Sequence, residues 1–468
     1  MTRPGTDAQP LRVAIVGSGP AGFYTAEKLL KQDDLVIEID MFDRLPAPYG
    51  LVRFGVAPDH EKIKNVTRVF DKLAARECFR FYGNVEIGSH ITLDDLRRHY
   101  HQICYATGAQ TDRSMGIPGE ELQRSHPATE FVAWYNGHPD FTHLEFDLSV
   151  ERVAVVGVGN VAVDVCRMLS RTPEELQKTD IADYALDALR ESNIREVYML
   201  GRRGPAQAAF TNPEVKELGE LEGADVTVPA EEAEVDELSR RMLNERPDRA
   251  TEKKIQILQE FARRDRTGKP KLLVLRFLVS PVEIIGDEEG RVNGLRMVRN
   301  ELYLDDKGTL RPRPTGVYED LPVQMVFRSV GYRGVPLKGL PFHDRWGVVP
   351  NEKGRVVDPE TREPLRGIYV SGWIKRGATG IIGTNKPDAG ETVECMVADL
   401  SAGAVLQPER PDPAQAEELI REARPAYVDW EKWLIVCEAE ESRGAEADRP
   451  RVKFTSVEEM LAALQRVE

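Results

Sequence analysis

The sequence predicts an α/β fold made of two three-layer domains of one kind, the second inserted into the first. Near the N-terminus a β-strand, a glycine-rich turn, a helix and a second strand follow one another, and the same succession recurs about 140 residues later. The part that holds the second copy is bounded by the stretches 103–109 and 325–332, which both have the pattern of a strand ending in small, turn-forming residues. We therefore expect a discontinuous first domain over 1–109 and 332–468 and a second domain over 110–331.

The first copy begins with a β-branched run from Leu11 to Val16, which is typical of a buried parallel strand. The run continues into the turn Gly17-Ser-Gly-Pro-Ala-Gly22, a helix over 23–31 and a strand over 35–42. Strand, helix and strand in this order predict a βαβ unit with a right-handed crossover.

The glycine spacing of this turn predicts a pyrophosphate site. Gly17 allows the tight turn, Gly19 lets the backbone approach a pyrophosphate, and Gly22 lets helix and strand pack closely. The helix N-terminus adds unpaired N–H groups that attract an anion. Asp43, 21 residues after Gly22, ends the second strand, where a carboxylate accepts hydrogen bonds from ribose hydroxyls. The first copy therefore predicts a Rossmann-like domain that binds a dinucleotide with an unphosphorylated ribose.

The second copy differs at two positions that bear on its ligand. A strand over 152–156 leads into Gly157-Val-Gly-Asn-Val-Ala162, where alanine replaces the third glycine, a common variant in nicotinamide-binding domains. The strand over 196–200 ends in Gly201-Arg202-Arg203 rather than in an acid. A carboxylate there would repel a 2′-phosphate, whereas a guanidinium fork binds one. The second domain is therefore expected to bind NADP(H).

The remaining segments complete the predicted architecture. One inserted helix over 172–192 accounts for the 43 residues between Gly159 and Arg202. A strand over 367–373 returns the chain to the first domain, and 405–450, rich in Pro, Ala and Glu, is expected to be surface helix and loop. Two dinucleotide sites in one chain imply electron transfer. FAD with NADPH is the simplest pair, because a flavin accepts a hydride and releases single electrons.

The composition narrows the function classes. The 468 residues have a formal charge of −15, which argues against nucleic acid as the main partner. No apolar run approaches the roughly 18 residues of a membrane span, and the polar first ten residues do not resemble a signal peptide. The five cysteines stand at least 26 residues apart, so no CxxC pair, zinc site or cysteine-bound iron–sulfur cluster is predicted, and a reducing cytoplasm is expected. No metal site is expected.

Four longer stretches resemble one family. They are 48–60 (PYGLVRFGVAPDH), 157–164 (GVGNVAVD), 201–211 (GRRGPAQAAFT) and 372–386 (GWIKRGATGIIGTNK). In these motifs the sequence is similar to adrenodoxin reductase and its bacterial relatives, the ferredoxin–NADP reductases of adrenodoxin-reductase type, over nearly the whole chain. The resemblance implies an FAD-dependent NADPH:ferredoxin oxidoreductase that passes a hydride from NADPH to FAD and then single electrons to a ferredoxin. That ferredoxin could serve a cytochrome P450 or another iron–sulfur pathway.

The resemblance also implies which residues contact each cofactor. For FAD they are, besides the glycine turn, Ala21, Asp43, Leu51, Ile87, Trp373, Gly380, Ile381 and Ile382. The last three are expected to offer backbone N–H groups to the pyrimidine edge of the flavin. For NADP(H) they are Arg113, Val158, Gly159, Asn160, Val161, Arg202, Arg203, Glu214 and Gly380. Many relatives have Glu where this chain has the shorter Asp43.

Three residues are implied beside the reacting rings. His60 and Glu214 would position the nicotinamide and handle protons, and Trp373 would form an aromatic wall that shapes access to the flavin. Each has a structural alternative. His60 could simply begin a helix, Glu214 could cap one, and Trp373 could pack in the core.

Other functions compete with this one. A disulfide reductase such as thioredoxin reductase shares the two-domain plan, but the absence of a CxxC motif counts against it. An NADPH diaphorase or quinone reductase, a flavin monooxygenase, and a non-catalytic electron-transfer module of a larger complex stay open as alternatives.

An acidic ferredoxin would need a basic surface on this negative chain. The stretch 251–276 carries eight basic residues against three acidic ones, and we expect it to be a docking patch or, alternatively, a solvated helix face and loop. Its basic residues are Lys253, Lys254, Arg263, Arg264, Arg266, Lys269, Lys271 and Arg276. A monomer is expected, because no hydrophobic stripe is left over.

Overall fold

The chain folds into two compact units in a computed structural model that describes residues 4–465. Among these residues the first unit comprises 4–56, 60–111 and 331–465, and the second comprises 57–59 and 112–330. Residues 57–59, which the sequence-based boundaries assign to the first domain, thus belong to the second unit. The outermost residues of that predicted first domain, 1–3 and 466–468, lie outside the described residues.

The N-terminal part of the first unit contains the predicted βαβ succession and extends it. All six residues of its first strand are buried, as the β-branched run predicts. Pro20 opens the first helix, where a missing N–H costs no intrahelical hydrogen bond. The elements are β1 (Leu11–Val16), α1 (Pro20–Leu29), β2 (Ile37–Phe42), α2 (Leu51–Phe54), α3 (Glu61–Lys64), α4 (Thr67–Ala74), β3 (Phe79–Tyr82), α5 (Leu93–His99) and β4 (Gln102–Tyr105).

The middle of the chain repeats the pattern and adds a long antiparallel hairpin. Its elements are β5 (Thr111–Asp112), β6 (Ser125–Pro127), α6 (Ala128–Tyr135), β7 (Arg152–Val156), α7 (Asn160–Ser170), α8 (Pro173–Gln177), α9 (Asp183–Arg190), β8 (Glu196–Leu200), α10 (Asn212–Leu218), β9 (Ala224–Thr227), α11 (Glu237–Glu245), α12 (Arg249–Arg263), β10 (Lys271–Arg276), β11 (Val279–Gly286), β12 (Val292–Leu304), β13 (Leu310–Leu321) and β14 (Met325–Arg328).

The prediction of one helix over 172–192 was wrong, because two helices, α8 and α9, occupy this stretch. Thr172 begins α8 with a capping box. After α8, the Thr179 hydroxyl donates to the carbonyl of Leu176 (2.7 Å) and accepts from the N–H of Ile181 (3.3 Å). Such local side-chain bonds compete with helical hydrogen bonds, and here they accompany the break.

The C-terminal part of the chain completes the first unit. Its elements are β15 (Tyr332–Arg333), β16 (Asn351–Glu352), β17 (Arg355–Val357), β18 (Pro364–Val370), α13 (Trp373–Arg376), α14 (Asn385–Ser401), α15 (Pro413–Ala423), α16 (Trp430–Glu446) and α17 (Val457–Gln465). The expectation of surface structure over 405–450 was only partly right. Trp433 and Val436 on α16 are fully buried, in a core cluster that also contains Tyr49.

Each unit is built on one large sheet with a glycine turn after a central strand. The sheet of the first unit has the order β16-β17-β18-β4-β1-β2-β3, in which β18 to β3 are parallel. The sheet of the second unit, β6-β14-β7-β8-β10-β9, is parallel throughout. A separate antiparallel sheet, β11-β12-β13, lies in the second unit. This confirms the α/β class with two Rossmann-like domains, one inserted in the other.

Among residues 4–465, no helix combines the length and apolar character that crossing a membrane requires.

Candidate functional site

In the first glycine turn, Gly17 and Gly22 are closely packed, whereas the space beside Gly19 is open. A Cβ on Gly17, whose φ is 109°, would lie 2.5 Å from the carbonyl oxygen of Ala106, and one on Gly22 would lie 2.1 Å from the oxygen of Gly17. A Cβ on Gly19 would meet nothing within 4 Å. Gly19 is the N-cap of α1 and supplies no side-chain cap, so the first-turn N–H groups, including that of Ala21, are left for a ligand. The turn therefore fits a pyrophosphate.

Asp43 lies directly after β2, at the glycine turn. Its Oδ2 accepts hydrogen bonds from the backbone N–H and the hydroxyl of Ser18 (3.1 and 2.5 Å), and its Oδ1 accepts one from the N–H of Leu45 (3.0 Å). These bonds fix the carboxylate and leave it acceptor capacity, because an ionised carboxylate has about four lone-pair positions. The fixed carboxylate thus fits a ribose hydroxyl donor, and Ser18, which the sequence did not single out, holds it.

The loop before α2 packs directly onto the first glycine turn. The N–H of Tyr49 donates to the carbonyl of Ser18 (3.0 Å), and a Cβ on Gly50 would lie 3.1 Å from the Cα of Gly19. Tyr49 has a φ of 82°, a left-handed conformation that is rare for a residue with a side chain. Leu51, a predicted FAD contact, begins α2 beside this loop.

Four other predicted FAD contacts, Trp373, Gly380, Ile381 and Ile382, lie in the segment after β18. Trp373 is half-buried, its indole N–H donates to the carbonyl of Thr379 (3.1 Å), and its ring lies 5.3 Å from that of Tyr332. Arg376 donates to the same carbonyl (2.6 Å) and to the amide oxygen of Asn385 (2.9 Å). These bonds hold the backbone that carries Gly380, Ile381 and Ile382. Ile381 is 54% exposed, so most of this residue lies outside the core.

Ile87, the remaining predicted FAD contact, lies after β3. Its partly buried side chain packs against a core cluster that includes Ala14 and Val16 of β1.

The second glycine turn, in the second unit, reproduces the shape of the first. A Cβ on Gly157, whose φ is 141°, would lie 2.2 Å from the carbonyl oxygen of Ser329, whereas one on Gly159 would meet nothing within 4 Å. Ala162 is completely buried, so the methyl group that replaces the third glycine is accommodated. Val158 and Val161 pack against the core of this unit. The Asn160 side chain accepts from the N–H of Thr211 (2.9 Å), which ties the turn to the segment before α10.

Arg202 and Arg203 follow β8 at the edge of the sheet where this turn lies. Within the part of the chain that the structure describes, neither side chain pairs with a carboxylate. Burial, with the nearby charges of Arg202 and Arg311, lowers the pKa of the Arg203 guanidinium. Two neighbouring guanidinium groups that pair with no carboxylate of the described residues fit a phosphate dianion, because the anion relieves the repulsion between them.

Asn300 supports this arginine pair and was not predicted from the sequence. It is 7% exposed, and its side-chain amide donates to the carbonyl of Arg202 (2.9 Å) and to the hydroxyl of Ser280 (2.8 Å). The N–H of Leu278 donates to the carbonyl of Arg203 (3.2 Å). The antiparallel sheet thus fixes the backbone of both arginines.

Glu214 belongs to a buried charge cluster in the second unit. It lies on α10, is 8% exposed, and its Oε2 is 3.8 Å from a guanidinium nitrogen of Arg167. Arg167 is fully buried and also pairs with Asp164 (2.8 Å), Asp59 (3.0 Å) and Glu217. Burial opposes its charge, but the four carboxylates outweigh that effect and raise the pKa of Arg167. No sequence motif marks Arg167 as the centre of this cluster.

Two further predicted site residues are His60 and Arg113, and each belongs to a different unit. His60 lies in the first unit as the N-cap residue of α3 and is half-buried. Arg113 lies in the second unit, exposed, just after β5.

The predicted basic stretch 251–276 is largely engaged within the second unit. Five of its eight basic side chains have partners there. Lys254, Lys269 and Lys271 donate to backbone carbonyls, Arg264 binds a carbonyl and Glu260, and Arg276 pairs with Glu232 and Glu319. Lys253, Arg263 and Arg266 are exposed, and their side chains have no ion pair or hydrogen bond with any residue from 4 to 465.

Comparison with known proteins identifies the family. Residues 11–204 match the model of the pyridine nucleotide-disulphide oxidoreductases. NADPH-ferredoxin reductase FprA of Mycobacterium tuberculosis is 43% identical over 462 residues, which cover 97% of this chain and 99% of that protein. The mitochondrial NADPH:adrenodoxin oxidoreductase of Arabidopsis thaliana is 40% identical, with 97% and 96% covered.

Comparison with solved structures supports the same family. The structure of Mycobacterium tuberculosis FprA in complex with NADPH matches with a TM-score of 0.92 at 42% identity and covers 98% of this chain and 100% of that one. Such similarity along the whole of both chains goes beyond a shared fold, and the chain belongs to the adrenodoxin reductase family of NADPH-ferredoxin reductases.

Proposed function

We propose that this chain is an FAD-dependent NADPH:ferredoxin oxidoreductase, a ferredoxin–NADP reductase, with FAD in the first unit and NADPH in the second. The contrast between the two glycine turns carries the proposal. A fixed carboxylate, Asp43, lies beside the first turn. Arg202 and Arg203, which pair with no carboxylate among residues 4–465, lie beside the second. The first turn therefore suits an unphosphorylated ribose and the second a 2′-phosphate. The relatives' name, NADPH-ferredoxin reductase, supports ferredoxin as the electron acceptor.

In the first unit, different residues are proposed to bind different parts of FAD. The open turn at Gly19 and the N–H of Ala21 would bind the pyrophosphate, and Asp43 would accept from the ribose. The loop with Leu51, the side chain of Ile87 and the indole of Trp373 would line the flavin. The backbone N–H groups of Gly380, Ile381 and Ile382 would face its pyrimidine edge, where they would favour the anionic reduced form.

In the second unit, the glycine turn and the residues after β8 are likewise proposed to bind different parts of NADPH. The turn from Val158 to Val161 would bind the pyrophosphate, and Arg202 and Arg203 would bind the 2′-phosphate through charge-assisted hydrogen bonds. Arg113 adds a further exposed cation in this unit.

The residues beside the reacting rings are proposed to position the nicotinamide and to keep water away from the flavin. The bound flavin supplies the reaction itself, since it accepts a hydride and passes on single electrons. Trp373, fixed through its bond to Thr379, would exclude water from the ring face that it covers. His60 and Glu214 would orient the nicotinamide and take up the proton that the flavin N5 must release once single electrons have left.

The properties of the thiols argue against a disulfide reductase. All five cysteines are free. Burial raises the pKa of the Cys104 thiol to about 12 and also raises that of Cys166, which opposes the thiolate that exchange requires. A diaphorase, a quinone reductase or an electron-transfer module of a complex would share the cofactors but not the ferredoxin dependence.

An anaerobic NADPH titration of the purified protein, followed by its absorption, tests the proposal. Bleaching of the flavin bands by one equivalent of NADPH is expected, followed by cytochrome c reduction only when ferredoxin is added. A colourless protein would contradict FAD binding. Fast turnover with quinone or oxygen, and none with ferredoxin, would favour the alternatives.

We also propose that the protein works as a monomer in the cytoplasm. Free, mostly buried thiols suit a reducing compartment. The mass of 52.6 kDa is the value that light scattering should return for a monomer.

A further inference from the structure

The loop 377–384, which connects α13 to α14, carries three neighbouring N–H groups that have no acceptor among the described residues. They belong to Gly380, Ile381 and Ile382, and none of them donates a hydrogen bond to any atom of residues 4–465. Gly380 and Ile381 are exposed, and Ile382 is half-buried. Backbone N–H groups are strong donors, so these three are available to a ligand.

Peptide geometry fixes the direction of the Gly380 N–H. In a trans peptide, the carbonyl of one residue and the N–H of the next lie in one plane and point in opposite directions. The Thr379 carbonyl accepts from the indole of Trp373 (3.1 Å) and from the guanidinium of Arg376 (2.6 Å). These two donors hold the carbonyl on one side of the loop, so the Gly380 N–H points to the other side.

The Ile382 N–H is oriented in the same way. The carbonyl of Ile381, which belongs to the same peptide group, accepts from the backbone N–H (3.0 Å) and the hydroxyl (2.6 Å) of Thr384. The Thr384 side chain also lies against Gly380, where a Cβ would be 2.4 Å from the hydroxyl oxygen. Bonds inside the loop thus set the directions of two of the three donors.

Arg376, the last residue of α13, joins the two ends of this loop. Its Nη1 donates to the Thr379 carbonyl near the start, and its Nη2 donates to the side-chain oxygen of Asn385 (2.9 Å) just after the end. The amide nitrogen of Asn385 in turn donates to the carbonyl of Ile382 (3.1 Å). The Oδ1 of Asp388 lies 3.5 Å from Nε of the same guanidinium. Because a guanidinium presents its donors in a rigid fork, one side chain sets the separation of the two ends.

We propose that Arg376 is a positioning residue that raises the reduction potential of the bound flavin without touching it. By holding both ends of the loop, it aims the N–H groups of Gly380 and Ile382 at the pyrimidine edge of the flavin. The proposal rests on the proposed function, in which this edge faces residues 380–382. A hydride delivered to the flavin leaves a negative charge on the pyrimidine ring, and fixed donors stabilise that charge more than they stabilise the uncharged oxidised ring.

The variant Arg376→Gln tests the proposal. Glutamine is too short to bond both ends of the loop, so the donors lose their common direction. The equilibrium constant for flavin reduction, measured anaerobically against a redox dye, should fall about tenfold, which is ~30 mV for a two-electron couple. Only chains that hold FAD contribute to this measurement, so a loss of folded protein alone would not shift the potential.

Two further arginine variants are the matched controls. Arg376→Lys keeps the positive charge but bonds only one end of the loop at a time, so its potential should fall nearly as far as that of Arg376→Gln. Arg362→Gln makes the same change in the turn between β17 and β18, at an exposed arginine whose side chain has no ion pair or hydrogen bond within residues 4–465. Its potential should equal that of wild type.

Thr384→Val is an independent test at the second fixed carbonyl. It removes the hydroxyl donor to Ile381 and keeps the size of the side chain. Since the backbone N–H of residue 384 still donates to this carbonyl, the equilibrium constant should fall only about threefold. An unchanged potential in this variant would overturn the orientation mechanism even if Arg376→Gln binds no FAD.

The outcomes separate the two hypotheses. If wild type passes electrons from NADPH to ferredoxin but Arg376→Gln keeps the wild-type potential, the role of Arg376 is wrong and the proposed function stands. If Arg376→Lys keeps the wild-type potential while that of Arg376→Gln falls, charge rather than orientation acts, and the proposal is likewise overturned. If purified wild type holds no FAD or is not reduced by NADPH, the proposed function itself fails.

Discussion

We expect Arg202 and Arg203 to determine cofactor choice by charge. Replacing both with alanine removes two charge-assisted contacts, each worth about 1.5–3 kcal/mol, which corresponds to roughly a hundredfold or more together. The KM for NADPH should rise by that factor, and the KM for NADH should change little because NADH has no 2′-phosphate. Steady-state kinetics with both cofactors checks this, with the exposed Arg195→Ala in the same unit as control. An equal rise for both cofactors would contradict the assignment.

Asn300 should affect the same step without touching the cofactor. The variant Asn300→Ala removes the donor to the Arg202 carbonyl, a bond of about 1 kcal/mol, so the KM for NADPH should rise about fivefold. The kcat should not change, because the loss concerns binding of the phosphate only. Asn293→Ala, an exposed position near the start of the same strand, is the control and should behave as wild type. A fall in kcat with an unchanged KM would show that Asn300 does not act through the arginine pair.

These two cases show which site residues a sequence can reveal. The sequence could single out Arg202 and Asp43, because each follows a strand of a βαβ unit at the position where dinucleotide-binding domains usually bind the ribose. It could not single out Asn300, since this residue comes 98 residues after Arg202 and meets it only through the antiparallel sheet. Arg167 could not be predicted either, because its partner Asp59 lies 108 residues away along the chain.

At the scale of elements, α16 braces the loop beside the first glycine turn. Glu440 is fully buried and pairs with Arg53 of α2 through both guanidinium NH groups, one at 2.9 Å. Trp433, also fully buried, donates its indole N–H to the Tyr49 hydroxyl (3.3 Å) and lies 5.2 Å from the Arg53 guanidinium. The strained Tyr49 is therefore held from the far end of the chain.

The variant Glu440→Gln should loosen this brace. It leaves the Arg53 charge buried with a weaker partner, and breaking a buried pair costs about 3–5 kcal/mol. The midpoint of urea unfolding should fall, and FAD should be released faster, as its fluorescence reports. Glu438→Gln, exposed on the same helix, is the control. If both variants release FAD at the wild-type rate, α16 stabilises the fold without supporting the cofactor loop.

The brace also explains why the sequence misjudged this region. The stretch 405–450 has no motif and is rich in Pro, Ala and Glu, so a surface position was the natural expectation. Its partners Tyr49 and Arg53 lie 384 and 387 residues away along the chain, beyond any local pattern. The βαβ units, by contrast, were predictable because their signals are local: a β-branched strand, a spaced glycine turn and a following helix.

At the scale of the whole molecule, the order of motifs was sufficient to predict one domain inserted in another. Strand β4 and strand β14 precede the two crossings of the chain, as the stretches 103–109 and 325–332 suggested. The transfer of 57–59 to the second unit was not predictable. It depends on Asp59, whose carboxylate reaches Arg167 and Arg171 there.

The acid stability of the molecule should depend on two histidines, the buried His101 of the first unit and the half-buried His126 of the second. Burial, with the charge of Arg12, lowers the pKa of His101 to about 4, and burial, with the charge of Arg328, lowers that of His126 to about 4. The Nδ1 of His101 accepts from the backbone N–H of Arg12 (3.0 Å), which requires a neutral imidazole. Both groups titrate near 6.5 when unfolded, so the unfolded chain takes up protons that the folded one does not.

The stability that these two histidines contribute is therefore complete above about pH 6.5 and is lost as the pH falls toward 4. The midpoint of urea unfolding should decrease over this interval. In His101→Gln, whose amide oxygen can still accept from Arg12, the decrease should be shallower because one titrating group is gone. The exposed His143→Gln should keep the wild-type slope. A slope that is the same in all three proteins would show that His101 does not set the acid limit.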